Sequence, residues 1–203
     1  MADKFLDKVY GVTEPGAVRD LYDDWSSSYD DEVAEAGYIT PARCAAALAA
    51  HLTPHTASIL DFGCGTGLSG QALAALGFTT IDGVDLSAGM METAEKRGVY
   101  RSLRQIDAND LQIEHGAYAA IAAVGVISTG AAPASTLGDL MACLAPGGMI
   151  VFSFNDHALE DPSFEAAVQA ELDRGRARAL FRDYDDHLPG RGLKSVVYVL
   201  ERL

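Results

Sequence analysis

Short apolar runs recur along the chain, and each is followed by a stretch whose apolar positions have helical spacing. Residues 58–62 run into the helical pattern Gln71-Ala72-Leu73-Ala74-Ala75-Leu76. Residues 79–85 predict a second strand, and 88–97 a helix ending on Lys96, Arg97 and Gly98, as helix C-termini favour. Residues 100–106 predict a third strand. The nearly unbroken apolar run at 118–127 predicts a central parallel strand buried on both faces. A helix over 134–144 and a fifth strand from 149 follow. Residues 161–173 then form a helix with Phe164, Val168 and Leu172 as its apolar stripe, and 176–184 and 193–200 an antiparallel pair around the turn at 188–192. Ahead of all this, residues 1–15 read as a frayed lead-in. Residues 17–25 predict a helix with Val18, Leu21, Tyr22 and Trp25 on one face. Residues 40–52 predict another, with Thr40 as cap, Pro41 at its first position, and Ala45, Leu48, Ala49 and Leu52 against the sheet. Strand and helix thus alternate five times before a terminal strand pair. The expected fold is α/β, one doubly wound domain over 1–203 with a mostly parallel sheet of about seven strands. Within it, 1–40 is a helical lid segment and 41–203 the core.

Composition narrows the function. The 203 residues are 49% hydrophobic and 22% charged, as in ordinary globular proteins, and a single core is within reach. No run approaches the roughly 18 apolar residues of a membrane span, and the N-terminus has no basic-then-apolar signal pattern, so a cytoplasmic location without membrane association is expected. The formal net charge of −14 argues against a nucleic-acid partner. Ten acidic and three basic residues between Met1 and Thr40 carry half of it, which reads as a solvated acidic surface. Cys44, Cys64 and Cys143 lack disulfide or zinc spacing, and Cys64 reads as a small spacer. His51 and His55 read as surface groups at a helix end, whereas His157, after the fifth strand, is either a base or a loop residue.

The chemistry gathers at Asp61-Phe62-Gly63-Cys64-Gly65-Thr66-Gly67-Leu68-Ser69-Gly70. A strand runs into glycines and then into a helix start, the arrangement that lets a ligand lie against the backbone. Two registers compete. Gly65-x-Gly67-x-x-Gly70 with Asp85 about 20 residues on matches the dinucleotide fingerprint and implies an NAD-type enzyme. Asp61-x-Gly63-x-Gly65-x-Gly67 starts the turn directly after the strand and gives Asp61 a task; beside a pyrophosphate that carboxylate is unfavourable. Asp85, ending the second strand, is positioned for ribose hydroxyls in either register, or caps the helix after it.

The second register resembles motif I of the class I S-adenosylmethionine (SAM) dependent methyltransferases. Tyr22-Asp23-x-Trp25-x-x-x-Tyr29-Asp30 is similar to the N-terminal segment of many small-molecule members, especially the family of the Williams–Beuren-region methyltransferase-like protein, and Leu144-x-Pro146-Gly147-Gly148 before a strand recurs in the class. The resemblance implies strand order 3-2-1-4-5-7-6 with strand 7 antiparallel, SAM as cofactor, S-adenosylhomocysteine (SAH) as product and a small-molecule acceptor. It implies cofactor contacts from Asp61, Gly63, Gly65 and Gly67, and from Asp85, Leu86 and Met90. Asp107 and Ala108 would meet the adenine, with Val124, Trp25 and Tyr29 completing the set. Ala119 departs from the family's usual Asp. No triad or metal cluster is visible, so the catalytic residue stays unassigned among His157, Tyr29 and Tyr38. A non-catalytic SAM-binding protein is the alternative.

Overall fold

A computed structural model describes residues 15–26, 28–107 and 110–203, with side chains from residue 20 onward. The expected lead-in, apart from Pro15, and Ala108 lie outside the described residues. Helices α1 (Pro15–Trp25), α2 (Tyr29–Glu35) and α3 (Thr40–Ala49) precede β1 (Ile59–Phe62). Then come α4 (Leu68–Ala75), β2 (Ile81–Asp85), α5 (Ala88–Lys96), β3 (Ser102–Gln105), β4 (Ala120–Ala123) and α6 (Thr136–Cys143). Finally β5 (Met149–Asn155), α7 (Asp156–Leu159) and α8 (Pro162–Asp173) lead to the hairpin of β6 (Ala177–Leu188) and β7 (Leu193–Arg202).

The seven strands form one sheet in the order β3-β2-β1-β4-β5-β7-β6. Neighbours from β3 to β5 pair in parallel, and β7 runs antiparallel between β5 and β6. The period of two divides the side chains between two cores. Leu60, Phe62, Ile121, Phe152, Phe154 and Tyr198 pack under α6 and α8. Ile59, Ala120, Ala122, Val151, Val197 and Val199 pack on the other face, with Cys44 and Leu48 of α3 and Leu73 of α4. All four residues of β4 are buried, and residues buried on both faces explain the unbroken apolar run in the sequence.

Two expectations need correction. The apolar run 118–127 yields only four strand residues, because the chain leaves the ladder at Val124 and Gly125, where Gly125 takes φ +70° and its N–H turns to Ser153 Oγ at 3.0 Å. Thr40 does not cap α3: Ile39 precedes the helix and no side chain caps it. The Thr40 hydroxyl instead lies 2.8 Å from His187 Nδ1 and 3.1 Å from Ser195 Oγ.

Candidate active site

The turn after β1 is fastened to β2 and opens α4. Gly63 and Cys64 both donate N–H bonds to the Val84 carbonyl, at 2.9 and 3.0 Å. Gly63, Gly65 and Gly67 take φ of +69°, +53° and +89°, and Gly67 is the residue preceding α4. Gly63 and Gly67 are bare for packing: a Cβ on Gly63 would come 2.3 Å from Val126 Cγ2, and one on Gly67 2.9 Å from Arg97 Cδ. Gly65 differs, since a Cβ there would meet no atom of the described residues within 4 Å. Burial pushes the Cys64 thiol well above its ordinary range, consistent with a spacer rather than a nucleophile.

Asp61 lies behind the turn, its Oδ2 bonded and its Oδ1 buried without a hydrogen bond among the described residues. Fully buried, it accepts from Ser69 Oγ at 2.6 Å and Tyr100 OH at 2.7 Å. Burial raises its pKa to about 6, against the lowering effect of Ser69, Tyr100 and the Gly70 N–H. It braces the glycine turn from behind. Tyr100, which supplies the second bond and crowds Gly70, carried no signal in the sequence, because its partner is 39 residues away.

A cavity of about 820 Å³ opens at the carboxyl ends of β1, β2 and β4, where ligands bind in open α/β sheets. Of the residues expected at a cofactor, Gly63, Gly65, Asp85, Leu86, Met90, Val124 and Tyr29 line it. Asp61, Gly67 and Trp25 do not; they stand one layer back. Trp25 is 2% exposed and backs the two lining tyrosines, stacked on Tyr22 at 5.8 Å and edge-on to Tyr29 at 4.7 Å. Asp107 is exposed and adjoins the lining residue Ile106. His157 lies off the cavity on α7, 3.7 Å from Glu160. His55 packs on Phe78 at 4.6 Å.

Asp85 is the central group. Its Oδ2 accepts from Gly65 N–H and its Oδ1 from Ser87 N–H, both at 2.8 Å. Burial raises its pKa, and those N–H groups partly offset the rise. The Leu86 N–H acts on it as well, and since a carboxylate has about four acceptor sites, acceptor capacity remains for a diol. These residues fit the adenosine and sulfonium parts of SAM: Gly65 leaves open space beside Asp85, and the charged side chains lining the cavity are Asp85, Asp139 and Asp161, with no Lys, Arg or His among the described lining residues. A dinucleotide's pyrophosphate would find no cation there.

Two acidic residues of the N-terminal segment are structural ties. Asp23 Oδ1 accepts from Ser87 Oγ at 2.5 Å and from Gly89 N–H at 3.1 Å, joining α1 to the start of α5. Asp30 accepts from Thr66 Oγ1 at 2.6 Å and Arg97 Nη2 at 2.5 Å, while Arg97 Nε donates to the Thr66 carbonyl. The solvated-surface reading therefore fails at these two positions. Asp30→Ala should cost about 1 kcal/mol of stability, since the pair is partly exposed. It should also raise amide exchange across α1 and α2 but not in β1 or β4; unchanged exchange would argue that Asp30 does not hold the lid.

His187 carried no functional signal in the sequence. It is 6% exposed, edge-on to Tyr38 at 5.2 Å, and burial lowers its pKa to about 4. In the unfolded chain a histidine titrates near 6.5. Above that pH neither state binds the proton; between about 6.5 and 4 only the unfolded state does, so acidification removes stability, up to about 3 kcal/mol. Asp61, its folded pKa raised, acts oppositely between roughly 4 and 6. Denaturant midpoints of wild type and His187→Gln should therefore converge as pH falls from 7 to 5, and parallel curves would contradict a neutral buried imidazole.

Known proteins agree with this geometry. Residues 59–148 match a family model described as a methyltransferase domain. The chain is 33% identical over 169 residues to methyltransferase-like protein 27 of Homo sapiens, covering 81% of this chain and 68% of that protein. A SAM-dependent methyltransferase of Thermotoga maritima, described as a possible histamine N-methyltransferase, superposes with TM-score 0.64 at 16% identity, over 92% of this chain and 100% of that one. A geranyl diphosphate methyltransferase solved with SAM gives 0.59 at 17% identity, over 80% and 85%. Sheet order, glycine turn and sequence relationship converge: the chain belongs to the class I SAM-dependent methyltransferase superfamily.

Proposed function

We propose that the protein binds SAM in the main cavity and methylates a small, neutral or cationic acceptor. The observation that carries this reading is the pairing of Gly65, with open space where a side chain would be, and the Asp85 carboxylate that lines the same cavity. When bound, SAM would supply an electrophilic methyl on its sulfonium for transfer to the acceptor, with SAH as the product. The chain's own residues have the tasks of alignment and exclusion of water. Tyr22 and Tyr29 cover the cavity from the lid side, and Met90, 1% exposed, supplies an apolar wall. Ser128 and Thr129, at the end of the β4 segment, offer hydroxyls to an acceptor. With no His or Lys among the described lining residues, the acceptor atom is one that already presents a lone pair, and any proton it loses passes to solvent.

The acidic lining favours neutral or positive acceptors over phosphorylated ones and over nucleic acid. The lack of a His or Lys among the described lining residues also leaves a second reading, a SAM-binding protein without turnover. The test is SAH release from SAM with acceptor pools separated by charge. Turnover with neutral or cationic small molecules, lost in Asp85→Ala, is expected. Turnover confined to RNA, DNA or anionic acceptors contradicts the acceptor class, and SAM binding without turnover on any pool supports the second reading.

A further inference from the structure

His187 sits where a regular strand would not put it. In the β6–β7 ladder Asp186 faces Lys194 and Leu188 faces Leu193, so His187 is the extra residue of a bulge. It and Leu188 are consecutive buried residues, which breaks the in-and-out alternation of the strand. Bulges next to active sites re-aim side chains. This one is held by the Ile39 N–H, which donates to the His187 carbonyl at 3.1 Å.

A chain of hydrogen bonds sets the tautomer of the ring. Arg43 Nη1, which can only donate, bonds to Ser195 Oγ at 3.0 Å. Ser195 Oγ lies 3.1 Å from Thr40 Oγ1, which lies 2.8 Å from His187 Nδ1. Both hydroxyls are fully buried, so each must place its one proton within this chain. Ser195 then donates to Thr40, and Thr40 donates to Nδ1. A neutral imidazole whose Nδ1 accepts carries its proton on Nε2. The titratable groups acting on the ring are Asp156, Arg43 and His157.

With Nδ1 turned to Thr40, the Nε2 edge is the one available to an alcove of about 50 Å³ that His187 borders with Tyr38 and Asn155. The alcove shares Tyr22, Tyr29, Gly125, Ser128 and Thr129 with the main cavity, and it has room for one small functional group.

We infer that the alcove is the recognition subsite for an uncharged, carbonyl-type oxygen of the methyl acceptor, which accepts from His187 Nε2–H while the rest of the acceptor occupies the main cavity. The inference rests on the methyl-transfer reading. An ammonium group finds no acceptor on that ring edge, and a neutral N–H does not offset the desolvation of a carboxylate. His187 thus selects the acceptor rather than taking its proton.

The test is a ¹⁵N histidine NMR spectrum of the full chain, with the His187 signals assigned by their loss in His187→Phe. The Nε2–H tautomer is expected at neutral pH. Acetamide should shift it saturably at millimolar concentration, whereas acetate and ethylammonium should not. His187→Phe, which keeps a planar ring but no N–H, should bind SAM with wild-type affinity. An Nδ1–H tautomer, an imidazolium, a preference for acetate or ethylammonium, or no saturable shift overturns the inference. If the variant does not fold, NOEs from the ring to Tyr38, whose centroid lies 5.2 Å away, assign His187 in the wild-type spectrum. SAM calorimetry on the same sample separates failure of the alcove from failure of the cofactor reading.

Discussion

Asp85→Ala is expected to weaken SAM binding about a hundredfold or more. A carboxylate accepting from a ribose diol makes two charge-assisted bonds, each worth about 1.5–3 kcal/mol, and every 1.4 kcal/mol is tenfold in affinity. The substitution also releases the Gly65 and Ser87 N–H groups that Asp85 now holds at 2.8 Å, so the floor of the site loosens as well. Asp85→Asn keeps one acceptor oxygen and should fall between the two. Calorimetry decides: an Asp85→Ala variant that stays folded and binds SAM within threefold of wild type removes Asp85 from the cofactor site.

The second large effect is on the fold. Gly63→Ala should lower unfolding free energy by about 2–5 kcal/mol, a large part of the 5–15 kcal/mol typical of a domain. Its φ of +69° is costly for any residue with a Cβ, and that Cβ would lie 2.3 Å from Val126 Cγ2 and 2.7 Å from Val126 Cβ. Shortening the neighbour should help, so Val126→Ala in the same chain should recover part of the loss. Gly65→Ala is the contrast. Its Cβ meets no atom of the described residues within 4 Å, so it should cost about 1–2 kcal/mol of stability from its positive φ alone and mainly obstruct ligand binding. Urea midpoints alongside SAM affinities separate the two glycines; equal effects of both on stability would mean that Gly65 is not bare for a ligand.

What was legible in the sequence is local or periodic. The order of elements, the glycine turn and the buried central strand follow from patterns within a few residues, and the family resemblance supplied the strand order. Asp85 and its neighbours Leu86 and Met90 were legible because a strand end and a helix start fix their place. Asp61 was legible as a residue with a task at the turn, but its partners Ser69 and Tyr100, the second far along the chain, were not. Asp23 and Asp30 looked like surface charge because their partners, Ser87, Gly89, Thr66 and Arg97, lie more than 30 residues away. His187 was hidden most deeply. Its burial depends on a bulge, and a single extra strand residue leaves no mark on an alternation that Asp185, Asp186 and Leu188 already blur.

A cavity built for SAM takes SAM and SAH in preference to NADH, and calorimetric titration of the purified protein with the three ligands in parallel measures that preference. Micromolar binding of SAM and SAH, about −8 kcal/mol, with no heat from NADH, is the predicted result. Tight NADH binding with no response to SAM or SAH would contradict it and return the glycine turn to the dinucleotide register.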